Sequence, residues 1–227
     1  MRINTVEVTN HCNAKCEYCP QPGMTREKGF MSMETYAKVL EKQELDFIEL
    51  HNFGEPLLHP EIFKFVKMAH TWGYKTRFST NGRLLSRGIM DKLVESGLDL
   101  LWISIRPFFY DVKRKLNFLY DEYSEKMEIV IYYVEYPEKR KPLPSHWKVT
   151  HVMPHTWSGQ MKNMKFIRHN ERCFNLKNRA VTVLWDGRVV NCCHDVNAIE
   201  VIGTIDDGRL EPRPFSLCKE CEFYGTQ

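Results

Sequence analysis

A chain of 227 residues, 43% hydrophobic and 27% charged, is long enough for one full domain plus a small appendage, and its ordinary composition excludes a disordered or fibrous protein. The net charge of +3 is small and the local run Lys139-Arg140-Lys141 reads as a solvated loop, so no bulk nucleic-acid binding is expected. No apolar stretch approaches the length of a membrane span, and Met1-Arg2-Ile3 runs into a strand pattern rather than a signal peptide, so the expectation is a cytoplasmic protein without membrane association.

In chain order, Ile3 to Thr9 is a β-rich run that ends where a cysteine loop begins. Gln21 to Phe30 is polar, and Ser32 can cap a helix carrying Tyr36, Val39 and Leu40. Asp46 to Leu50 is a short apolar strand, and His51 to Pro60 is a second loop at a strand's exit. Pro60 starts the next helix, whose apolar stripe is Ile62, Phe65, Val66, Ala69 and Trp72, with Gly73 at the C-terminal cap. Tyr74 to Ser79 reads as strand, Asn81-Gly82 as a turn, and Ser86 as the cap of a helix with Ile89, Met90, Leu93 and Val94 that Gly97 ends. Leu100 to Ile105 is the fourth strand, and Pro107 then breaks the chain. A fourth helix carries Val112, Leu116, Leu119, Tyr120 and Tyr123, and the fifth strand, Ile129 to Val134, has the apolar character of a buried parallel strand. Pro137, Pro142 and Pro144 forbid a regular helix before a sixth strand, Trp147 to Met153. Repeated strand-helix-strand units imply an α/β fold with a parallel, barrel-like sheet and right-handed crossovers.

All eight cysteines lie in two terminal groups, Cys12, Cys16 and Cys19, then Cys173, Cys192, Cys193, Cys218 and Cys221. In a reducing compartment such clustering reads as metal ligation rather than disulfides. Three soft thiolates in the loop after the first strand suit an iron-sulfur cubane with one iron left open. A Cys3His zinc site using His11 is the alternative, which adjacent His11 and Cys12 fit poorly. The C-x3-C-x2-C spacing, with Tyr18 before the last cysteine, resembles the signature of the radical S-adenosylmethionine (radical SAM) superfamily. That resemblance implies a partial (βα)6 TIM-like barrel, abbreviated near strands five and six, over residues 1–160. It also implies a 4Fe-4S cluster on Cys12, Cys16 and Cys19 that chelates SAM through its open iron and cleaves it to a 5′-deoxyadenosyl radical.

Reactive groups of parallel βα folds gather at the C-terminal ends of strands, and the candidates fall there. Gly54-Glu55-Pro56 follows the second strand and resembles the family's Gly-Gly-Glu segment, which holds the SAM amino group, although Phe53 replaces the first glycine. By the same resemblance Tyr18 lies against adenine, and Ser79, Asn81 and Ser104 contact SAM. Asn81-Gly82 also fits a plain turn. Among Arg106, Lys113, Arg114 and Lys115, Arg114 is the selected partner for the SAM carboxylate, with an exposed helix face as the alternative. His151, His155 and Trp157, with Arg106 and Tyr110, are candidates to line a substrate cavity, and none is assigned as catalytic.

Ala180 to Asn191 is a β-hairpin about Asp186-Gly187, bracketed by cysteines. This region, 161–227, resembles the auxiliary-cluster appendages of radical SAM enzymes, the SPASM domain and more closely the shorter twitch domain. The resemblance implies a second 4Fe-4S cluster fully ligated by Cys173, Cys192, Cys218 and Cys221. Cys192 is preferred over Cys193 because the family ligand follows a glycine and four residues. A zinc knuckle is the alternative. The implied activity is hydrogen removal from a small molecule, similar to the twitch dehydrogenase of aminocyclitol antibiotic synthesis. The alternative is peptide or protein side-chain modification, which the start of strand one at Ile3, leaving no room for a leader-binding extension, disfavours. A non-catalytic electron-transfer or zinc-stabilised binding module would bind no SAM. An external electron donor such as flavodoxin or ferredoxin is expected.

Overall fold

The computed structural model describes residues 1–105, 110–168 and 173–224, and the side chains of Tyr110 and Asp111 lie outside that description, as do Arg106 and Pro107. The chain opens with β1 (Arg2–Val6), then alternates α1 (Met33–Lys42), β2 (Phe47–Glu49), α2 (Ile62–Thr71), β3 (Lys75–Thr80), α3 (Arg87–Ser96), β4 (Leu100–Ile105), α4 (Tyr110–Tyr123), β5 (Glu128–Val134) and β6 (Val149–Val152). Local chemistry sets the helix ends. Ser32 Oγ accepts the Thr35 N–H at 3.0 Å and Ser86 Oγ the Ile89 N–H at 3.3 Å, each satisfying a donor the helix leaves open. Gly97 ends α3 in the left-handed region, at φ 84°.

Strands β2 to β6 form one parallel sheet in chain order. Alternation assigns its two faces. On β3 and β4, Thr76, Phe78, Leu101, Ile103 and Ile105 are buried toward the helices, so Arg77, Ser79, Trp102 and Ser104 share the opposite face. Ser79 pairs with Trp102, and Ser104 with Tyr132. Tyr36 of α1 stacks on Phe65 of α2 at 4.2 Å within the core outside the sheet.

Strand β1 differs from a simple first stave. Its ladder is with β7 (Ala180–Val183), in parallel register, and β8 (Arg188–Val190) and β9 (Val201–Thr204) follow antiparallel in the order β1-β7-β8-β9. The Gln43 side chain lies between β1 and β2. It donates to the carbonyls of Ile3 at 2.7 Å and Phe47 at 3.0 Å and accepts the Ile3 N–H at 2.9 Å. A side-chain amide thus takes the place of ladder hydrogen bonds.

Several boundaries shift for visible reasons. Strand β1 ends at Val6, because from Val8 onward the chain pairs with Met31 and Phe30 instead. Helix α2 begins at Ile62 rather than Pro60, since the Glu61 N–H is held by the His59 ring at 3.1 Å. Trp72 caps α2 and is 49% exposed rather than part of its buried stripe. Trp147 closes a turn onto the Pro144 carbonyl and stacks on Tyr120 at 5.6 Å, so β6 starts two residues later. Between β5 and β6 the chain forms only a 3-10 turn, Pro137–Lys139. Strand β9 is absent from the sequence reading, because Gly203 interrupts its short apolar run.

Candidate active site

Asn10, fully buried, anchors the cysteine loop. Its side chain donates to Glu27 O at 2.8 Å and accepts from Gly29 N, and its own carbonyl takes the Gln21 side-chain N–H. The β2 exit loop crosses this backbone at van der Waals contact. A Cβ on Gly54 would come within 2.0 Å of Thr9 O and 3.0 Å of His11 O, and the Glu55 N–H donates to His11 O at 2.8 Å. Gly54 is therefore required by close approach of two backbones.

The cysteine loop and the C-terminal strand ends enclose a cavity of about 210 Å³. Its wall carries Cys12, Cys16, Cys19 and Tyr18, then His51 to Glu55, Ser79 to Asn81, Ser104 and Tyr132, and His155 and Trp157 from the loop after β6. Glu55 is 2% exposed. Its Oε1 accepts from Thr80 Oγ1 at 2.7 Å and Leu57 N at 3.2 Å, and among the described residues its Oε2 accepts the Asn81 N–H alone, at 2.8 Å. Burial pushes its carboxyl above the usual range, against those hydrogen bonds. Burial likewise raises the Cys12 thiol, with the Glu55 carboxylate adding to it. Asn81 makes the expected turn, its Oδ1 accepting the Arg83 N–H, while Nδ2 donates to Asn13 at 2.7 Å and lies 3.9 Å from Cys12 Sγ. Tyr18 donates to Glu135 at 3.1 Å, and its burial, with the Glu17 and Glu135 carboxylates beside it, pushes its hydroxyl up. Burial lowers His51, whose Nδ1 accepts the Ser79 N–H.

The described wall contains three thiols and a carboxylate but no Lys or Arg. Ionising the buried carboxyl and the half-buried thiols here is costly until a cationic guest compensates their charge. The Asn52 amide nitrogen, also at the wall, is buried with no partner among the described residues, a donor left for an acceptor on the guest. A thiolate-bound iron cluster together with a sulfonium carrying an ammonium and a carboxylate fits this donor set. Asn52, Thr80 and Tyr132 were not singled out from the sequence, although strand alternation from Ser104's register partner points to Tyr132. Arg114 is exposed on α4 and does not reach the wall. His151 is exposed and packs on Tyr133.

The second cysteine group gathers beside the hairpin. Cys173 precedes α5 (Phe174–Asn178), Cys192 follows β8, and Cys218 and Cys221 bracket one turn, with the Cys221 N–H on Cys218 O at 3.3 Å. Burial raises the thiols of Cys173, Cys218 and Cys221, and Cys192 is a neighbour common to all three that raises each further, beside others of the group. Cys192 itself is raised first by its hydrogen bond to Cys193 and then by burial. Among the described residues, no three His, Cys, Asp or Glu side chains close in as ligands of a single ion. The loop after β6 reaches both thiol groups: Trp157 Nε1 donates to Tyr18 O at 2.8 Å, and Ser158 Oγ lies 3.0 Å from Nδ1 of His194, whose backbone N–H donates to Cys192 Sγ at 3.3 Å.

Comparison with known proteins adds to this geometry. The cofactor-modifying protein of the tungsten-containing aldehyde ferredoxin oxidoreductase of Pyrococcus furiosus is 30% identical over 148 residues, 63% of this chain. The chain spans only 42% of that relative's length. The S-adenosyl-L-methionine-dependent 2-deoxy-scyllo-inosamine dehydrogenase of Niallia circulans is 28% identical over 214 residues, 90% of this chain and 78% of the relative. The structure of BtrN in complex with AdoMet and 2-DOIA shares the fold, with TM-score 0.65 and 24% identity over 90% of this chain and 80% of that one. The family model of the radical SAM superfamily matches residues 6–137, the span that holds the cysteine loop, the Gly54-Glu55 crossing and strands β2 to β5, and the chain belongs to that superfamily as a radical SAM enzyme.

Proposed function

We propose that this enzyme dehydrogenates a small molecule. In this reading Cys12, Cys16 and Cys19 hold a 4Fe-4S cluster, Cys173, Cys192, Cys218 and Cys221 hold a second, auxiliary one, and residues 1–160 and 161–227 are the barrel and a twitch-type unit. When bound, the first cluster and SAM supply a 5′-deoxyadenosyl radical. With both groups held, the substrate would lose one hydrogen as an atom to that radical and the other as a proton to solvent, and the auxiliary cluster on Cys173, Cys192, Cys218 and Cys221 would be the acceptor for the remaining electron. SAM cleavage draws its own electron from an external donor such as flavodoxin or ferredoxin.

The residues have separate tasks. Glu55 Oε2 accepts one internal hydrogen bond among the described residues and keeps capacity for the SAM ammonium. Gly54 keeps the β2 exit loop tight against the cysteine loop. Ser79, Asn81 and Ser104 offer polar contacts, with Asn52 added as a donor, and Tyr18 and Trp157 restrict water.

The observation that carries the oxidative reading is the single neighbourhood of four thiols around Cys192. A cluster with four protein ligands has no iron free to bind substrate, which suits electron transfer. The dehydrogenase relative supports it by matching 90% of this chain. The experiment is turnover of reduced, reconstituted protein with SAM and a panel of aminocyclitols, including 2-deoxy-scyllo-inosamine, and a parallel panel of peptides. A cyclitol product lighter by two hydrogens, formed with matching 5′-deoxyadenosine, is the expected result. Products from peptides alone would replace this reading with side-chain modification.

A further inference from the structure

We infer that the surface formed by the β3 exit loop and the first half of α4 is the docking site of a small acidic electron-carrier protein, which delivers the electron for SAM cleavage. The inference rests on the reading above that Cys12, Cys16 and Cys19 hold the cluster that cleaves SAM, and it adds where the donor binds. Arg83 ties this surface to the cysteine loop: its guanidinium donates to the carbonyl of Asn13, the residue after Cys12, at 2.7 Å. Lys115 of α4 in turn donates from Nζ to the Arg83 carbonyl at 3.3 Å. A second link, Arg87 with Glu122 at 2.8 Å, joins the start of α3 to the end of α4. Leu84 lies in the chain between Arg83 and Arg87. Phe118 lies on the helix between Lys115 and Glu122, three and four residues from them and so on one face, and the two apolar residues share the seam that these links close.

The seam is apolar at its centre and cationic toward the cysteine loop. Phe118 is 67% exposed and Leu84 37%. Arg83, Arg114 and Lys115 are exposed with them, and Lys15 is exposed on the cysteine loop itself, where Glu17 is the one exposed carboxylate. These cations are uncompensated. Arg87 has Glu122, Arg77 has Glu49 and Arg213 has Glu200. Arg83 and Lys115 instead give their hydrogen bonds to carbonyls, and with Lys15 and Arg114 they have no carboxylate partner among the described residues. Nor does the helix favour them there, since α4 starts at Tyr110 and the positive end of its macrodipole disfavours Arg and Lys nearby. An exposed aromatic beside uncompensated cations fits an acidic partner: the ring anchors, and the charges steer the encounter and fix its orientation. Redox encounters are weak and use small interfaces, because the carrier must leave after each delivery. One electron passes, from the carrier's reduced flavin to the centre on Cys12, Cys16 and Cys19, and no bond is made or broken. Arg114, which does not reach the SAM wall, has its task here.

The test is calorimetric titration of the reconstituted protein with oxidised flavodoxin, an acidic carrier, at low and at high salt. Three variants accompany the wild type: Arg114→Glu with Lys115→Glu, Phe118→Ala, and, as a control with the same change of charge on α2, Lys64→Glu with Lys67→Glu. The wild type should bind, with an affinity that falls as salt screens the charges. The α4 charge reversal should weaken binding by about tenfold and Phe118→Ala by about fivefold, while the α2 control binds as the wild type does. Formation of 5′-deoxyadenosine with dithionite as reductant should be equal in all four proteins, and with reduced flavodoxin it should fall in the two α4 variants in step with binding. No binding by the wild type overturns the inference, as does equal affinity in the wild type and both α4 variants. An equal loss in the α2 control also overturns it, because the effect would then trace to net charge. A fall in dithionite-driven formation in the Arg114 and Lys115 variant contradicts it too, since those side chains would then act on SAM itself. A wild type that binds flavodoxin yet forms no 5′-deoxyadenosine with dithionite would instead refute the cluster reading on which the inference rests.

Discussion

The α-carbon of Gly54 lies so close to the Thr9 carbonyl that a methyl group there would approach its oxygen to 2.0 Å. The β2 exit loop and the cysteine loop are thus fitted to each other through main chain alone, and neither can yield by a side-chain rotation. Gly54→Ala should destabilise the fold by about 1–3 kcal/mol, as overpacking does, and should also lower the iron retained after reconstitution. Gly23→Ala, with open space around its Cβ, is the control and should stay within about 0.5 kcal/mol of the parent. Thermal unfolding and iron analysis of both variants measure this.

Glu55 ties Thr80, Asn81 and Leu57 together from a buried position. Glu55→Ala should weaken SAM binding in equilibrium dialysis and cost about 1–3 kcal/mol through the donors it leaves unsatisfied. The pH dependence has a definite sign. Burial raises the folded-state pKa, so the protonated form is favoured by folding. The advantage of wild type over the alanine variant is fully present below the unfolded-state pKa and diminishes as pH rises through the folded-state value. An advantage that grows with pH over that window contradicts the assignment.

Cys192 and Cys193 are adjacent, yet Cys192 is the one that acts on Cys173, Cys218 and Cys221. Cys193→Ala should keep roughly eight irons per chain, as two four-iron clusters require, and Cys192→Ala should lose or damage the second cluster while 5′-deoxyadenosine formation persists. Iron content and Mössbauer spectra of the pair decide the ligand, and the reverse pattern would exchange their roles.

The Arg26 guanidinium meets both Glu7 oxygens, at 2.9 and 2.7 Å, and Nε donates to Val196 O. Both side chains are buried, 3% and 0% exposed. The pair joins the chain after β1 to the segment after the cysteine loop and to the C-terminal unit. Arg26→Ala should cost about 3–5 kcal/mol by stranding a buried carboxylate, and Glu7→Leu combined with Arg26→Met should recover much of it. Chemical denaturation of the two variants tests the difference.

What the sequence made legible is local. The caps at Ser32, Ser86 and Gly97 depend on a few neighbouring residues, and the cysteine spacing and the Gly54-Glu55 dipeptide carry their meaning within one loop. The pairing of β1 with β7 is not of that kind, because it joins residues some 180 positions apart and depends on Gln43 occupying the gap to β2. The same holds for Asn52, whose amide, unpartnered among the described residues, shows only once the cavity closes around it. Trp157 was legible as a cavity candidate, but the left-handed backbone of Trp157 and Ser158, φ 52° and 57°, which sets the Ser158 hydroxyl on His194, was not. Arg114 was selected by family likeness across a stretch that departs from the family spacing, and it stands exposed on α4.

The most direct measurement of the central claim is 5′-deoxyadenosine formation from SAM by reduced, reconstituted protein, compared with the variant carrying alanine at Cys12, Cys16 and Cys19. The wild type should form it and the triple variant should form none, with the auxiliary cluster still present. Undiminished formation in the triple variant would contradict the assignment of that loop as the SAM-cleaving centre.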